Sequence, residues 1–407
     1  MIGLAYNTRK LDWIVTLIIL ISFLTYYFEV VIDHPPIDVR ESDIRTHALI
    51  AYSFVVNHDK LPPNFLYDFL VALLSGFSRQ LSSYYFASIV LISAAIATKF
   101  LVTQTYLLKY GSLNERSTLP TSLSIMMLFV FALPGANFFQ SGDFYLGQLP
   151  PNVWHNPTLI FVMPFAVLLF FKSYELLFEN KTQQDQKLLV QIALLIVING
   201  LIKPSFLFTL IPSAFIVLGY NRFFLTRNTH TQYVQLIPYL FGILFVAAEY
   251  YVIYQLDYTS NAGNSIENTG DHSSIIVAPF EVWRMFSSNI FIAVITSLFF
   301  PLTYFFTSKG SPLNNKIFQF ATLNFIIALG VWVLFAEEGG RKFHGNFLWQ
   351  VVIATYILFL ASLLNFLDDI RLSKLNRKKQ IIVGGAFLLH FIWGIVYWLR
   401  IINNGYY

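Results

Sequence analysis

Long apolar segments alternate with polar loops along most of this chain. A segment of roughly 20 apolar residues can cross the hydrocarbon core of a bilayer, and its backbone must satisfy its hydrogen bonds internally, so we expect helices. The pattern predicts about eleven transmembrane helices. Their predicted bounds are Leu11–Val31, Tyr84–Leu108, Leu119–Leu133, Thr158–Leu176, Lys187–Ile202, Ser205–Tyr220, Tyr233–Tyr254, Asn289–Phe306, Ile317–Phe335, Leu348–Leu367 and Ile381–Leu399.

Two apolar stretches depart from a simple crossing. Pro62-Pro63 opens the stretch Phe65–Gly76 and Asp68 interrupts it, which predicts a helix lying at the outer interface of the membrane. The stretch from Lys187 to Tyr220 contains Pro204, and a proline removes a helical hydrogen-bond donor. We therefore expect two short helices that form a hairpin, with Lys203 at its outer tip.

Composition assigns the chain to an all-α polytopic membrane protein, because 56% of its residues are hydrophobic and 12% are charged, against about 25% charged in soluble domains. The chain is interpreted as a single transmembrane domain, 1–407, whose first apolar segment remains as an anchor. The absence of cysteine excludes disulfides and thiolate catalysis. We expect no metal, no cofactor and no nucleic-acid partner.

Most basic residues fall in one set of loops, which the positive-inside tendency assigns to the cytoplasm. They are Arg9, Lys10, Lys109, Arg116, Lys172, Lys181, Lys187, Arg222, Arg227, Lys309, Lys316, Arg371, Lys374, Arg377, Lys378 and Lys379. The other loops would then face outward from a cell inner (plasma) membrane. The outer loops 32–63, 134–157, 255–288 and 336–347 are predicted to form the functional site.

The first outer loop is rich in acidic residues directly after a span. Asp43 and His47 would share one face of a helix that begins near Asp43. A carboxylate near the bilayer loses hydration and becomes a better proton acceptor, so Asp43 is the first candidate for a general base and Asp33 the second. Alternatively, Ser42 or Asp43 simply caps the helix.

The second outer loop contains Trp154-His155-Asn156-Pro157. Asn156 is a good helix cap and proline suits the first helical position, so an anion would be attracted to this helix start. Trp154, His155 and Asn156 are candidate ligand-binding residues, although Trp154 equally suits an interfacial anchor. Lys203 lies at membrane depth, where a functional role competes with snorkelling to the headgroups.

The last outer loop reads E-E-G-G-R-K-F-H-G-N-F, residues 337–347. Arg341 offers a planar fork suited to phosphate, Lys342 a point charge and His344 a further donor. The alternative is that Glu337 and Glu338 neutralise the two cations.

Together these features resemble bacterial integral-membrane glycosyltransferases of the GT-C superfamily. The resemblance rests on the first span followed by an acidic loop, the Pro62-Pro63 helix, the loop Pro-Asn-Val-Trp-His-Asn-Pro-Thr, Lys203-Pro204-Ser205 and His344-Gly345-Asn346-Phe347. It implies a GT-C-like fold and a hexosyl- or pentosyltransferase that moves a sugar from a polyprenyl-phosphate donor to a glycan, lipid or protein acceptor, usually with inversion, in cell-envelope glycan synthesis. It also implies that Asp43, or Asp33 in its place, acts as the base.

Charge and position further suggest that Lys203, Arg341 and His155 bind the donor phosphate, and that His47, Trp154, Asn156, Lys342 and His344 contact substrate. Trp349 could offer an apolar face to a sugar ring. Two alternatives stay open: a transporter or flippase of lipid-linked glycans or another anion, and an O-antigen polymerase or ligase. The latter would be expected to have an Arg-rich outer loop, whereas Leu256–Ser288 holds only Arg284.

Overall fold

The computed structural model describes residues 10–33, 43–114, 116–179, 186–224, 229–252, 274–308 and 311–404. This part of the chain is predominantly α-helical. Its helices are α1 Lys10–Phe28, α2 Asp43–Val56, α3 Leu66–Leu74, α4 Leu81–Tyr110, α5 Leu119–Phe129, α6 Ala136–Ser141, α7 Pro157–Phe178, α8 Gln186–Ile202, α9 Leu207–Phe224, α10 Thr229–Tyr250, α11 Glu281–Phe286, α12 Ile290–Ser297, α13 Phe299–Thr307, α14 Lys316–Leu334, α15 Trp349–Arg371 and α16 Arg377–Asn404.

Two short strands, β1 Ile275–Val277 and β2 Phe335–Glu337, pair antiparallel and add a small ladder to the helices. Within the described ranges, eight helices are long and apolar enough to cross a membrane, or up to nine if one bent pair counts as a span. The protein is therefore a multi-pass membrane protein built of α-helices. The prediction of about eleven crossings stays a prediction, because α5 and α8 are apolar but shorter than the eight long helices.

The predicted span Asn289–Phe306 is not one straight helix. It divides at Leu298 into α12 and α13, which meet at a bend of 69°. Pro301 explains the break, because its ring clashes with the carbonyl four residues earlier and it has no amide hydrogen to donate. The backbone N–H of Phe300 instead donates to Nε2 of His390 on α16, at 3.2 Å.

Contacts between side chains identify the two ends of the helix bundle. Lys109 in the last turn of α4 donates to Glu175 near the end of α7. At the opposite end, the Tyr27 hydroxyl near the end of α1 donates to the carbonyl of Trp154, just before α7, at 3.1 Å. Helices α4 and α7 therefore run parallel, and α1 runs against them. We call the end that holds Lys109 and Glu175 the basic end, and the other the cavity end.

Two short helices, α2 in the predicted outer loop 32–63 and α3 directly after it, pack on the bundle at its cavity end. The prediction of a helix beginning near Asp43 is confirmed by α2, and the stretch Phe65–Gly76 contains α3. Arg45 of α2 donates twice to the carbonyl of Val31, at 2.7 and 3.1 Å, which ties α2 to the end of α1. Asp68 does not interrupt the second helix. It lies within α3 and is fully buried.

Candidate functional site

A cavity of about 520 Å³ opens at the cavity end, and all four predicted outer loops contribute to its wall. Its volume lies within the range of small-molecule sites. The lining residues are Asp43, His47, Tyr145, Leu146, Gly147, Gln148, His155, Asn156, Lys203, Trp283, Phe286, Trp332, Phe343, Gly345, Asn346, Leu348 and Trp349. The structure thus brings together Asp43, His47, His155, Asn156 and Lys203, which the sequence places far apart.

Asn156 fixes both the start of α7 and the side chain of Asp43. Its Oδ1 accepts from the backbone N–H of Leu159 at 2.9 Å, which confirms the predicted helix cap with Pro157 at the first helical position. Its Nδ2 donates to Oδ2 of Asp43, also at 2.9 Å. One side-chain amide therefore orients the carboxylate of Asp43 at the wall of the cavity.

His47 and Asp68 form a hydrogen-bonded pair behind this carboxylate. Nδ1 of His47 lies 2.8 Å from Oδ1 of Asp68, whose side chain is 1% exposed. Burial alone would lower the pKa of His47, but the charge and hydrogen bond of Asp68 outweigh it and raise that pKa above its ordinary value. Sequence reasoning missed Asp68 as a functional residue, although a single acid within the apolar stretch Phe65–Gly76 was a usable signal.

Lys203 lies in the predicted break between two helices. Its backbone is extended, with φ −166° and ψ 107°, and α8 ends just before it. Its Nζ donates to the Thr158 hydroxyl at a distance of 3.3 Å and sits 5.4 Å from the ring centroid of Trp349. Burial lowers the pKa of Lys203 to about 8, while nearby carboxylates, Asp43 foremost, oppose the shift. At neutral pH Lys203 therefore presents a cation to the cavity.

His155 occupies a more enclosed position than Lys203. It is 2% exposed, and its ring centroid lies 5.1 Å from that of Tyr145 and 5.8 Å from that of Trp349. Burial lowers the pKa of His155, with Lys203 acting in the same direction and Asp43 against it. Burial therefore favours the neutral form of the imidazole, and the predicted role of His155 in binding the donor phosphate stays a prediction.

Aromatic side chains form another part of the wall. Trp283 and Trp332 lie with ring centroids 6.5 Å apart, and Nε1 of Trp283 donates to the carbonyl of Gly147 at 2.8 Å. Gly147 has φ +77°, and a Cβ there would meet the carbonyl oxygen of Phe286 at 2.3 Å. Only glycine fits this position without displacing its neighbours. The cavity thus combines ionisable groups with flat apolar surfaces.

Two predicted ligand-binding residues lie elsewhere. Trp154 is 1% exposed and stacks on Phe23 of α1 at 5.5 Å, so its predicted contact with substrate is replaced by a packing role. Lys342 does not line the cavity. It forms an ion pair with Glu281 and not, as the alternative expected, with Glu337 or Glu338, because α11 brings Glu281 beside it.

The other predictions in the last outer loop are only partly described. Glu337 accepts a hydrogen bond from Nδ2 of Asn346, which lines the cavity, and so joins β2 to the start of α15. The side chains of Arg341, His344 and Asp33 lie outside the described part of the structure. Their predicted roles stay predictions.

The chain matches no known protein family, and no curated protein sequence is significantly similar to it. The chemistry of the cavity is therefore inferred from its own side chains.

Proposed function

We propose that this protein is a membrane glycosyltransferase that moves a sugar from a polyprenyl-phosphate donor to an acceptor on the extracytoplasmic face, with inversion, in cell-envelope glycan synthesis or modification. The observation that supports this proposal is the convergence of a carboxylate, a lysine and two imidazoles on one cavity, at one end of the helix bundle. The acceptor is a hydroxyl of a glycan, lipid or protein, and the carrier is a membrane lipid.

Asp43 is the group best placed to act as base. Asn156 holds one of its oxygens, so the carboxylate has a fixed orientation at the cavity wall. In an inverting transfer the base takes the proton of the acceptor hydroxyl while the acceptor oxygen forms a bond to the anomeric carbon. The bond from that carbon to the phosphate oxygen breaks on the opposite side, and its electron pair leaves with the phosphate.

Lys203 is the cation best placed to bind the departing phosphate. It lines the cavity and is held by one long hydrogen bond to Thr158, so its remaining N–H donors can turn toward an anion. A preorganised cation in a partly dehydrated site stabilises charge that develops in the transition state. The free amides predicted at the start of α7 contribute less than expected, because Asn156 occupies one of them.

The aromatic wall suits the sugar. Trp283, Trp332 and Trp349 present flat apolar surfaces against which the C–H face of a pyranose or furanose can pack. The cavity lies where helix ends meet the loops, so the lipid tail can remain in the bilayer while the headgroup enters the site.

The main alternative, transport of a lipid-linked glycan or another anion, would need ionisable groups that both sides of the membrane can reach. Lys99 is a buried cation within α4, but it donates to Asn152 at 2.6 Å and is 5% exposed. The lining residues of the cavity instead come from the cavity end of the bundle. One-sided chemistry is therefore favoured over passage, and the third reading, an O-antigen polymerase or ligase, gains no particular support from these residues.

The proposal is tested with purified protein in sealed liposomes that contain radiolabelled polyprenyl-phosphate hexoses or pentoses and candidate acceptors. We expect transfer or release of the labelled sugar by the unaltered protein, loss of it in Asp43→Asn, and retention of it in Asp59→Asn, a matched change outside the cavity. Movement of label across the bilayer without bond cleavage would assign the protein to transport. Full activity of Asp43→Asn would remove Asp43 as the base.

A further inference from the structure

The His47–Asp68 pair has the arrangement of a proton-transfer group. Asp68 contacts Nδ1 of His47, and the imidazole itself lines the cavity, so Nε2 is the nitrogen left for a ligand. Tyr67 packs edge-on against the imidazole at 5.7 Å, while its hydroxyl is hydrogen-bonded to Ser88. A carboxylate behind an imidazole fixes the orientation of the ring and stabilises its protonated form.

The charges around His47 favour an imidazolium. Asp68 is completely buried, and its Oδ2 accepts no hydrogen bond within the described part of the chain. A buried carboxylate without a cationic partner is strongly unfavourable. Asp43 adds a second negative charge one helical turn away on α2, which outweighs the opposing positive charge of Lys203 at the α8–α9 break. A proton on His47 compensates the buried charge of Asp68.

We propose that His47, oriented by Asp68, is the general acid that protonates the departing phosphate, while Asp43 is the base. This inference rests on the proposed glycosyl transfer and assigns a further catalytic residue to it. As the bond between the anomeric carbon and the phosphate oxygen breaks, Nε2–H of His47 gives its proton to a phosphate oxygen. Asp43 has at that stage received the proton of the acceptor hydroxyl.

The proton lost by His47 can be replaced from Asp43, because both residues lie on α2. After transfer, Asp43 is a neutral acid and His47 a neutral imidazole, and the two side chains lie at positions i and i+4 on one helix face. Passing the proton from Asp43 to His47, directly or through one water, restores both groups. The acceptor's proton has then moved to the polyprenyl phosphate, which is the net change that the reaction requires.

The first experiment measures kinetics. His47→Gln removes the acid without changing the base, so kcat should fall by about 100-fold while KM for the polyprenyl-phosphate sugar changes little. His58→Gln, the same substitution in an exposed histidine that does not line the cavity, should retain full activity. In Asp68→Asn the alkaline limb of the kcat profile should move to lower pH, because the proton of His47 is held less strongly. A merely structural role would not move that limb.

The second experiment measures the protonation of the His47 imidazole directly and does not require catalytic turnover. The protein is labelled with ¹⁵N-histidine and placed in lipid nanodiscs, and His47 is identified among the eight histidines by its absence in His47→Gln. We expect its titration midpoint to lie above 6.5 in the unaltered protein and to fall in Asp68→Asn.

The outcomes separate the two proposals. Loss of activity in Asp43→Asn with near-normal kcat in His47→Gln would leave the glycosyl transfer in place and overturn the general-acid role. A midpoint below 6.5, or one unaffected by Asp68→Asn, would overturn it as well. Absence of transfer by the unaltered protein would remove the catalytic role together with the proposed function, even if the titration followed the expected course.

Discussion

Two lysines, the buried Lys99 and the partly buried Lys203, show how the same side chain is used differently in two regions of the molecule. Lys99 lies within α4, donates to Asn152 at 2.6 Å, and has the ring centroids of Tyr356 and Trp154 at 5.0 and 5.9 Å from its Nζ. Lys203 lies at a helix break, is held by a 3.3 Å contact to Thr158, and lines the large cavity.

The difference between the two lies in how fully the surroundings hold each ammonium group. The carbonyl of Asn152 is itself fixed, because Nδ2 of the same side chain donates to the carbonyls of Met127 and Val130. Lys99 is therefore bound within a rigid internal network that joins α4 to the loop before α7. Lys203 has fewer internal contacts and faces open space, as expected of a group that acts on a ligand.

The largest expected effect is on activity in Lys203→Gln. If Lys203 binds the departing phosphate of the proposed reaction, removing this single preorganised charge should lower transfer by roughly 100- to 1,000-fold. Thermal stability should stay equal or rise, since a desolvated ammonium is removed. Transfer assays and thermal unfolding check both parts, with Lys187→Gln at the basic end as the matched control. Normal transfer by Lys203→Gln would contradict the assignment of a functional role to Lys203 and a structural role to Lys99.

Lys99→Met should show the opposite behaviour. The substitution leaves Oδ1 of buried Asn152 without its donor, which should reduce the free energy of unfolding by about 1–3 kcal/mol. Transfer by the protein that remains folded should stay close to normal. Unfolding followed in detergent measures the first part. If activity fell as far as in Lys203→Gln with no loss of stability, Lys99 would belong to the functional machinery and transport would gain support.

The Asn156→Asp variant tests whether the Asn156 amide orients the carboxylate of Asp43. The new carboxylate can still cap α7 but cannot donate to Asp43, which it repels. We expect transfer to fall by roughly 10- to 100-fold through misplacement of the base, with little change in unfolding temperature. Asn289→Asp is the control, because Asn289 caps α12 through Oδ1 in the same way and does not line the cavity. Equal activity in both variants would contradict the proposed orientation of Asp43.

The smallest expected effect concerns pH. Because the pKa of folded Lys203 is lowered to about 8, its charge should be lost above that pH, and KM for the donor should rise a few fold by pH 9. Lys203→Arg, which stays charged, should delay this rise.

The same shift affects stability in a defined direction. The folded state binds fewer protons than the unfolded state between about 8 and 10.5, so the unfavourable contribution of Lys203 is fully present below pH 8 and fades toward 10.5. Titrations of the donor at several pH values measure the predicted rise in KM above pH 8. A KM that is independent of pH would contradict it.

Local chemistry explains which features the sequence predicted. The break at Lys203 follows from Pro204, and the start of α7 follows from Asn156-Pro157, because proline and asparagine act within a few residues of their own positions. The sequence analysis assigned the loops that hold Asp43, His155 and Lys203 to the same side of the membrane, and this assignment predicted that the three residues lie near one another. These predictions needed helix directions and no knowledge of which helices touch.

Tertiary packing determines what the sequence could not predict. Asp68 becomes the partner of His47 only because α3 folds back on α2, and Trp154 becomes a core residue because α1 supplies Phe23. The span Leu119–Leu133 ends early, at Phe129, where the Asn152 amide donates to the backbone carbonyls of Met127 and Val130. The break in Asn289–Phe306, by contrast, could have been predicted from Pro301.

The double use of the Asn156 amide restricts what can replace it. A single planar group must offer an acceptor to the Leu159 amide and an N–H donor to the Asp43 carboxylate at the same time. Aspartate lacks the donor, glutamine is one methylene too long, and serine or threonine has a single short hydroxyl for both tasks. Saturation mutagenesis under selection for function should therefore return almost only asparagine here, whereas position 289 should accept the ordinary range of helix-capping residues.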